Sequence, residues 1–328
     1  MSTGSSSFNL QEKWDKLIDR TTNNESFMRG GEIKAHGQFW FITNNNHLPG
    51  LEIRIEKNIK IDPKLLPQAR NWSVKFLDDR VIMELKKTEY QEIFIKTINL
   101  ILTVIILKKI KAEEEIKKFL TVLNDYKEFF EEEHVPRPLK LEAQLGLFGE
   151  IFILSQILVK KLKANEALNT WTGPSKSLDF STANSFIEVK TSAGENLINT
   201  TESQINPNHD KQLFLSFLKI KKDEGGSNLN ELIEAFSENL KKSSEEDYNS
   251  FLLKLMKVGY FEIHKDFYLQ KFNIDKISYY FVGKKFPFID KTKINIPDGI
   301  EKIKLDYKIN LDKCSNFLIK EDEFLSKI

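Results

Sequence analysis

Two short segments constrain this chain more than any other feature. Ser177-Leu178-Asp179-Phe180 and Phe186-Ile187-Glu188-Val189-Lys190 each alternate polar and apolar residues, the pattern of half-buried strands whose successive side chains point to opposite faces. Joined by a four-residue loop from Thr182 to Ser185, they predict a hairpin with Asp179 opposite Glu188 and Lys190 on the same face two residues on. Leu178, Phe180, Ile187 and Val189 then point the other way. A slip of one residue would bury the charges and expose the aliphatics, so the register is strongly specified.

The chemistry follows from the residue types. Two carboxylates offer hard oxygen donors to Mg²⁺, which keeps several of its waters. Such an ion polarises a phosphodiester and lowers the pKa of its water. Lys190 can orient that water or offset charge developing on phosphoryl oxygens. Upstream, Glu150 sits in Leu145-Gly146-Leu147-Phe148-Gly149-Glu150-Ile151-Phe152-Ile153-Leu154. A carboxylate buried in so apolar a helix needs a metal or a basic partner. Gly146 and Gly149 each cost a helix about 1 kcal/mol relative to Ala, which points to close backbone packing there.

Four motifs together carry a resemblance: Leu147-Phe148-Gly149-Glu150, Trp171-Thr172-Gly173-Pro174, Leu178-Asp179-Phe180 and Ile187-Glu188-Val189-Lys190-Thr191-Ser192. They resemble uncharacterised prokaryotic PD-(D/E)XK family members, which are similar to restriction-endonuclease-like nucleases. The resemblance implies a helix-strand-strand-strand-helix-strand core and Mg²⁺-dependent phosphodiester cleavage, with Mn²⁺ as a substitute. It implies that Glu150 matches the helical acidic position, Asp179 the central metal ligand, and Glu188 and Lys190 the E-x-K pair. Leu178 stands where the family's name-giving proline would be; proline has no group for metal or acid-base work. The resemblance further implies DNA as substrate and a role in restriction or defence, alone or with partner subunits. The alternative is a catalytically silent subunit that keeps the fold for binding or scaffolding, since fold alone does not fix function. Pairing of two sites in a homodimer is one way to cut both strands; no sequence feature marks an interface.

Competing readings exist for each residue. The trio Asp179, Glu188 and Lys190 could be a solvated cross-strand ion pair contributing less than about 1 kcal/mol. Glu150 could be a charge on the outer side of an amphipathic helix. E-x-K triplets also occur at Glu32/Lys34, Glu84/Lys86 and Glu115/Lys117, and Asp79 with Glu84 and Lys86 mimics the full trio on a strand-like segment. That decoy lacks the Glu-bearing apolar helix and the Trp-Thr-Gly-Pro turn. Gln204, downstream of the E-x-K strand, is a candidate contact to substrate phosphate, although an exposed polar residue there needs no role. Lys219, Lys221, Lys222, Lys284 and Lys285 could line a DNA groove or serve solubility alone. Trp171 reads as a core anchor. The five histidines show no zinc-ligand spacing, and no Walker loop, G-x-S-x-G elbow or G-x-G-x-x-G is present.

The chain of 328 residues exceeds what one core usually organises. Pro136 and Pro138 block helix continuation and place a lobe boundary near residue 136. Residues 1–136 are expected to form an N-terminal lobe positioning DNA or a partner, and 137–328 the nuclease-like lobe. The fold class expected is α/β (α+β), a mixed sheet flanked by helices, preceded by an antiparallel β and helical lobe. Expected elements are a helix over 8–20 carrying Trp14, Leu17 and Ile18, and strands at Phe39 to Thr43, Leu51 to Ile55 and Arg80 to Leu85. Two helices across 89–133 and a third from Leu139 to Val159 follow. Later come a strand Leu213 to Leu218, a turn and helix start over Asp223 to Asn230, helices from Leu229 to Leu240 and Tyr248 to Val258, and strands around Tyr260-Phe261, Ile277 to Val282 and Ile303 to Ile309. The 49 basic and 48 acidic residues exclude a uniformly basic nucleic-acid coat but not a local basic groove. Cys314 is the single cysteine, which excludes an internal disulfide and fits a reducing compartment. Met1 to Ser7 lacks the basic and apolar regions of a secretory signal and reads as a loose tail. The apolar run Ile98 to Leu107 falls short of the roughly 20 residues that cross a bilayer, so a cytoplasmic protein with no membrane partner is expected.

Overall fold

The computed structural model describes residues 12, 14, 16, 17, 27–33, 39–44, 46–55, 61–62, 66–77, 79–107, 112–173, 177–290, 293–294, 299 and 305–328, with the backbone alone for 27–33. The chain divides into two compact units, Met1–Arg137 and Pro138–Ile328.

The N-terminal unit contains an antiparallel five-stranded sheet: β1 (Phe27–Ile33), β2 (Phe39–Asn44), β3 (Pro49–Arg54), β4 (Trp72–Leu77) and β5 (Arg80–Leu85), in the order β1-β2-β3-β5-β4. Pro49 and Gly50, which precede the expected strand Leu51 to Ile55, already belong to β3; Gly50 fits because a side chain there would strike the Met83 carbonyl. Strands β1 and β4 were not anticipated. α1 (Gln91–Leu107) and α2 (Ala112–Asn124) follow. The run Ile98 to Leu107 supplies core: Ile98, Ile101, Leu102 and Ile105 are all buried. Aromatic packing completes it, with Trp72 stacked on Phe130 at 4.3 Å between ring centroids. The N-terminal helix includes Trp14 and Leu17, both buried; Ile18 lies outside the described residues.

The C-terminal unit opens with α3 (Leu141–Phe152), which runs on through a π-helical turn, Ile153–Ile157, and a 3-10 turn, Leu158–Lys160. The stretch Leu141–Lys160 is 20 residues with mean hydropathy 1.4, long and apolar enough to cross a membrane by length and composition. Half of it is buried inside the unit, however, as in the core helix of a globular domain. α4 (Ala164–Thr170), which the sequence reading did not anticipate, leads into β6 (Phe180–Ser181) and β7 (Ser185–Ser192). β8 (Leu197–Thr201), also unanticipated, precedes β9 (Gln212–Ser227), α5 (Leu229–Ser243), α6 (Glu245–Lys257) and β10 (Phe272–Phe281). β11 (Asp306–Asn310), β12 (Leu318–Ile319) and α7 (Glu321–Lys327) end the unit.

The main sheet has the order β12-β10-β9-β7-β6, antiparallel except for the parallel pair β7/β9. This is the expected mixed sheet. β8 and β11 form a separate two-stranded sheet. The run Leu213 to Leu218 is apolar on both faces, as a central strand covered from both sides must be. One face packs against α3, α5 and α6 through Phe148, Ile187, Val189, Phe214 and Phe236. The other carries a second core of Leu178, Ile198, Leu213, Leu215 and Phe217.

Three expectations need correction. Asp223 to Ser227 is the end of β9 and not a turn; Gly226 permits it because any side chain would collide with the Phe272 carbonyl across the pair. The helix starts at once from an Asn228 cap, whose side chain accepts from the Glu231 N–H. Tyr260 and Phe261 form no strand; they are buried aromatics leading into a 3-10 segment, Glu262–Phe267. Leu178 does not share a face with Phe180, Ile187 and Val189. The chain bends over 177–179, and Leu178 joins the second core while the other three join the first. The part of the Trp171 to Pro174 turn beyond Gly173 and the start of the expected Ile303 to Ile309 strand fall outside the described residues.

Candidate active site

The site grows from the β6/β7 register. Phe180 pairs with Ile187 and Ser181 with Phe186; continued by one residue, this sets Asp179 across from Glu188. Asp179 lies just before β6, where the strand has not yet begun, so its side chain is free to turn back. Its Oδ2 accepts the Val189 N–H at 2.7 Å, an amide with no ladder partner beyond the short β6. The Asp179 carbonyl accepts the Thr172 N–H at 2.9 Å, and the Trp171/Phe180 bridge fastens the same segment.

Glu188 is 1% exposed. It shares a face with Phe186 and Lys190 by the two-residue period of β7, and that face lies over the second apolar core, not over water. Its Oε1 accepts from Lys190 Nζ at 2.8 Å. Its Oε2 is buried with no hydrogen-bond partner among the described residues, which is costly for a carboxylate. Lys190 Nζ also donates to Gln204 Oε1 at 3.1 Å. Gln204 Oε1 further accepts the Thr201 N–H at 3.2 Å, so the Gln204 amide nitrogen is the end left to meet a ligand.

Glu150 comes from α3. Gly149 makes its approach possible, since a Cβ at that position would collide with Thr191 Oγ1 on β7. Gly146 instead has open space beside it and lines the cavity. The helix therefore lies against the strand at Gly149 and delivers Glu150 to the acids of the sheet. Glu150 Oε2 accepts the Trp171 indole N–H at 2.8 Å. Trp171 is thus a core anchor, as expected, and also a direct partner of the helical acid, a role that composition and spacing did not signal. Lys254 of α6 supports this segment by donating to the Leu168 and Trp171 carbonyls at 2.9 and 2.5 Å; burial pushes its ammonium down to about 8.

The electrostatics are unusual for three neighbouring acids. Burial first, and the charge of Asp179 second, push Glu150 up to about 8, against the pull of Trp171 and Lys190. Burial raises Asp179 to about 6 despite the Val189 N–H and Lys190. Glu188 is held well above the ordinary carboxylate range by burial, then by Asp179 and Glu150, with Lys190 opposing. Each acid resists ionisation chiefly because it is buried, and Lys190 offsets only part of that cost. Perturbation of this kind is concentrated at functional sites.

Glu150 and Asp179 open into a cavity of about 430 Å³, whose wall includes Gly146, Ser177, Thr201, Gln204 and Lys257. Lys257 was not among the lysines singled out from sequence; nothing in its local pattern marks it. The members of the decoy trio are engaged with other partners. Asp79 pairs with Arg80 at 3.4 Å, Glu84 with Lys75 at 3.2 Å, and Lys86 donates to the Ala69 and Arg70 carbonyls.

The donor set fits a hard divalent cation. It is all oxygen, it is short of positive charge, and it holds an orphaned carboxylate oxygen on Glu188. Among the described residues no group of three or more His, Cys, Asp and Glu stands ready to hold an ion. One or two carboxylates completed by water and substrate phosphate are the usual ligands of Mg²⁺, so a preformed cage is not required.

No curated protein and no solved structure matches the chain. A family match does exist, spanning residues 10–312 and bearing the description "Putative PD-(D/E)XK family member, (DUF4420)". With a mixed sheet that gathers Glu150, Asp179, Glu188 and Lys190, and with nearly its whole length matched, the chain belongs to this uncharacterised PD-(D/E)XK family.

Proposed function

We propose that the C-terminal unit is a Mg²⁺-dependent nuclease that hydrolyses phosphodiester bonds of DNA, in a cell's restriction or defence against foreign DNA. The observation that carries this reading is the desolvation of three carboxyl groups beside one lysine, two of which, Glu150 and Asp179, line a cavity. A fold gains nothing from such an arrangement by itself, because each buried acid opposes folding once ionised.

Asp179 and Glu188 would hold the cation, and Glu150 would complete the ligand set. The ion, when bound, supplies charge that polarises a phosphoryl oxygen and eases deprotonation of water. Lys190 is a donor only; it would hold the attacking water or offset charge on the phosphoryl oxygens. Gln204 keeps Lys190 aimed and leaves its amide nitrogen to meet a substrate phosphate. In the overall change, a water oxygen bonds to phosphorus, one P–O ester bond breaks, and the leaving oxygen takes a proton. The N-terminal unit would serve to position DNA or a partner subunit of a defence complex. The same reading places the protein in the cytoplasm, where foreign DNA is met, and leaves room for a homodimer that cuts both strands.

The test is incubation of the full chain with supercoiled plasmid and Mg²⁺ or Mn²⁺. Nicking that requires the metal and disappears in both Asp179→Ala and Lys190→Ala is the expected result. Undiminished activity in both variants defeats the assignment. Binding without nicking, with natural partners present, favours a scaffolding subunit instead.

A further inference from the structure

The cavity wall contains a cation that the trio does not use. Lys257 closes α6 at its C-terminal turn and lines the cavity together with Val258, Ser177 and Gln204. The other lysines nearby are committed: Lys190 to Glu188 and Gln204, and Lys254 to two backbone carbonyls. Lys257 is half-buried and forms no ion pair among the described residues. A substrate phosphate entering this cavity meets the carboxyl groups of Glu150 and Asp179 on one side. Attraction has to come from elsewhere on the wall, and Lys257 is placed to provide it.

We propose that Lys257 is a substrate-positioning residue that grips a backbone phosphate of the nucleic acid and holds the strand against the acid pocket. This rests on the nuclease reading. An ammonium is a point charge without the planar fork of arginine, so it recognises phosphate and not base sequence. The hydroxyls of Ser177, Thr201 and Ser203 on the same wall suit the same ligand. Among the described residues Lys257 forms no ion pair with Asp179, Glu188 or Glu150, so its removal affects binding and leaves the chemistry intact.

The experiment measures binding of a fluorescently labelled duplex DNA to the full chain in the Asp179→Asn background, where cleavage does not intervene. Lys257→Ala and Lys257→Arg are compared with that parent over a range of salt concentrations. Lys257→Ala should weaken binding about tenfold, equally for unrelated sequences, and reduce the slope of log K against log salt by about one. Lys257→Arg should restore most of the affinity. In the cleavage-competent chain, Lys257→Ala should raise KM and leave kcat nearly unchanged. Unaltered affinity and slope in Lys257→Ala, with the parent binding normally, overturn the assignment of Lys257 alone. A parent that binds neither duplex nor single-stranded nucleic acid overturns the nuclease reading and this inference with it.

Discussion

Replacing Asp179 by Asn should make the protein more stable and inactive together. Burial raises Asp179 from 3.8 to about 6, a little over two units at about 1.4 kcal/mol each. Holding the ionised carboxylate in the fold therefore costs about 3 kcal/mol once the pH is above both values. Asn keeps an oxygen for the Val189 N–H and carries no charge. It also relieves Glu150 and Glu188, whose pKa values Asp179 raises. For a unit of this size, 1 kcal/mol moves Tm by roughly 2 to 4 °C, so at pH 8 the gain should be about 6 to 12 °C. The folded pKa is raised, so the cost is absent below the unfolded value and complete above the folded one. The advantage of Asn should fade between about pH 6 and 4. Calorimetry of the full chain in chelator at pH 4, 6 and 8 gives the comparison. Equal melting at pH 8, or an advantage that does not change with pH, would refute the reasoning.

Further predictions rest on other parts of the site. In chelator, the C-terminal unit of the native chain should lose stability as pH rises from 5 to 9, because raised carboxyl groups must ionise; Mg²⁺ should reverse this, most strongly at high pH, as thermal melts with and without metal will reveal. Trp171→Phe removes a donor that lowers Glu150, so the acidic limb of the pH–rate profile should move to higher pH while the circular dichroism spectrum is retained. Gly149→Ala sets a methyl group against Thr191 Oγ1 and should cost roughly 1 to 3 kcal/mol in denaturant melts, with weaker Mg²⁺ activation because Glu150 is displaced. Glu84→Gln, in the decoy trio, should leave plasmid cleavage unchanged.

The β6/β7 register was legible because period-two alternation leaves one pairing that buries the aliphatic residues, and Phe180, Ile187 and Val189 occupy the first core accordingly. Leu178 was misread because alternation assumes a continuous strand, and the chain bends at 177–179. The sequence showed two faces, one polar. It did not show that the polar face, flanked by apolar residues of β9, is itself covered by Ile198 of β8 and Ile309 of β11, which come from distant segments. That cover is what desolvates Glu188. Strand β9 was expected to end at Leu218, with a turn from Asp223, whereas it runs on to Ser227 and Gly226 serves a close approach of Phe272 in the partner strand. Lys257 carried no local signal, and Trp171 was marked as a turn residue and core anchor but not as a partner of Glu150; their relation to the acids is set by packing of α3, α4 and α6.

The central claim is that the buried acids form a cation site. A crystal of the full chain soaked in Mn²⁺ and measured at the manganese absorption edge tests this most directly. The account predicts an anomalous peak touching carboxylate oxygens of both Asp179 and Glu188, with the Glu188 oxygen that now lacks a partner among its ligands. Absence of a peak at full soak, with Glu188 still joined to Lys190 and the two acids apart, would contradict it.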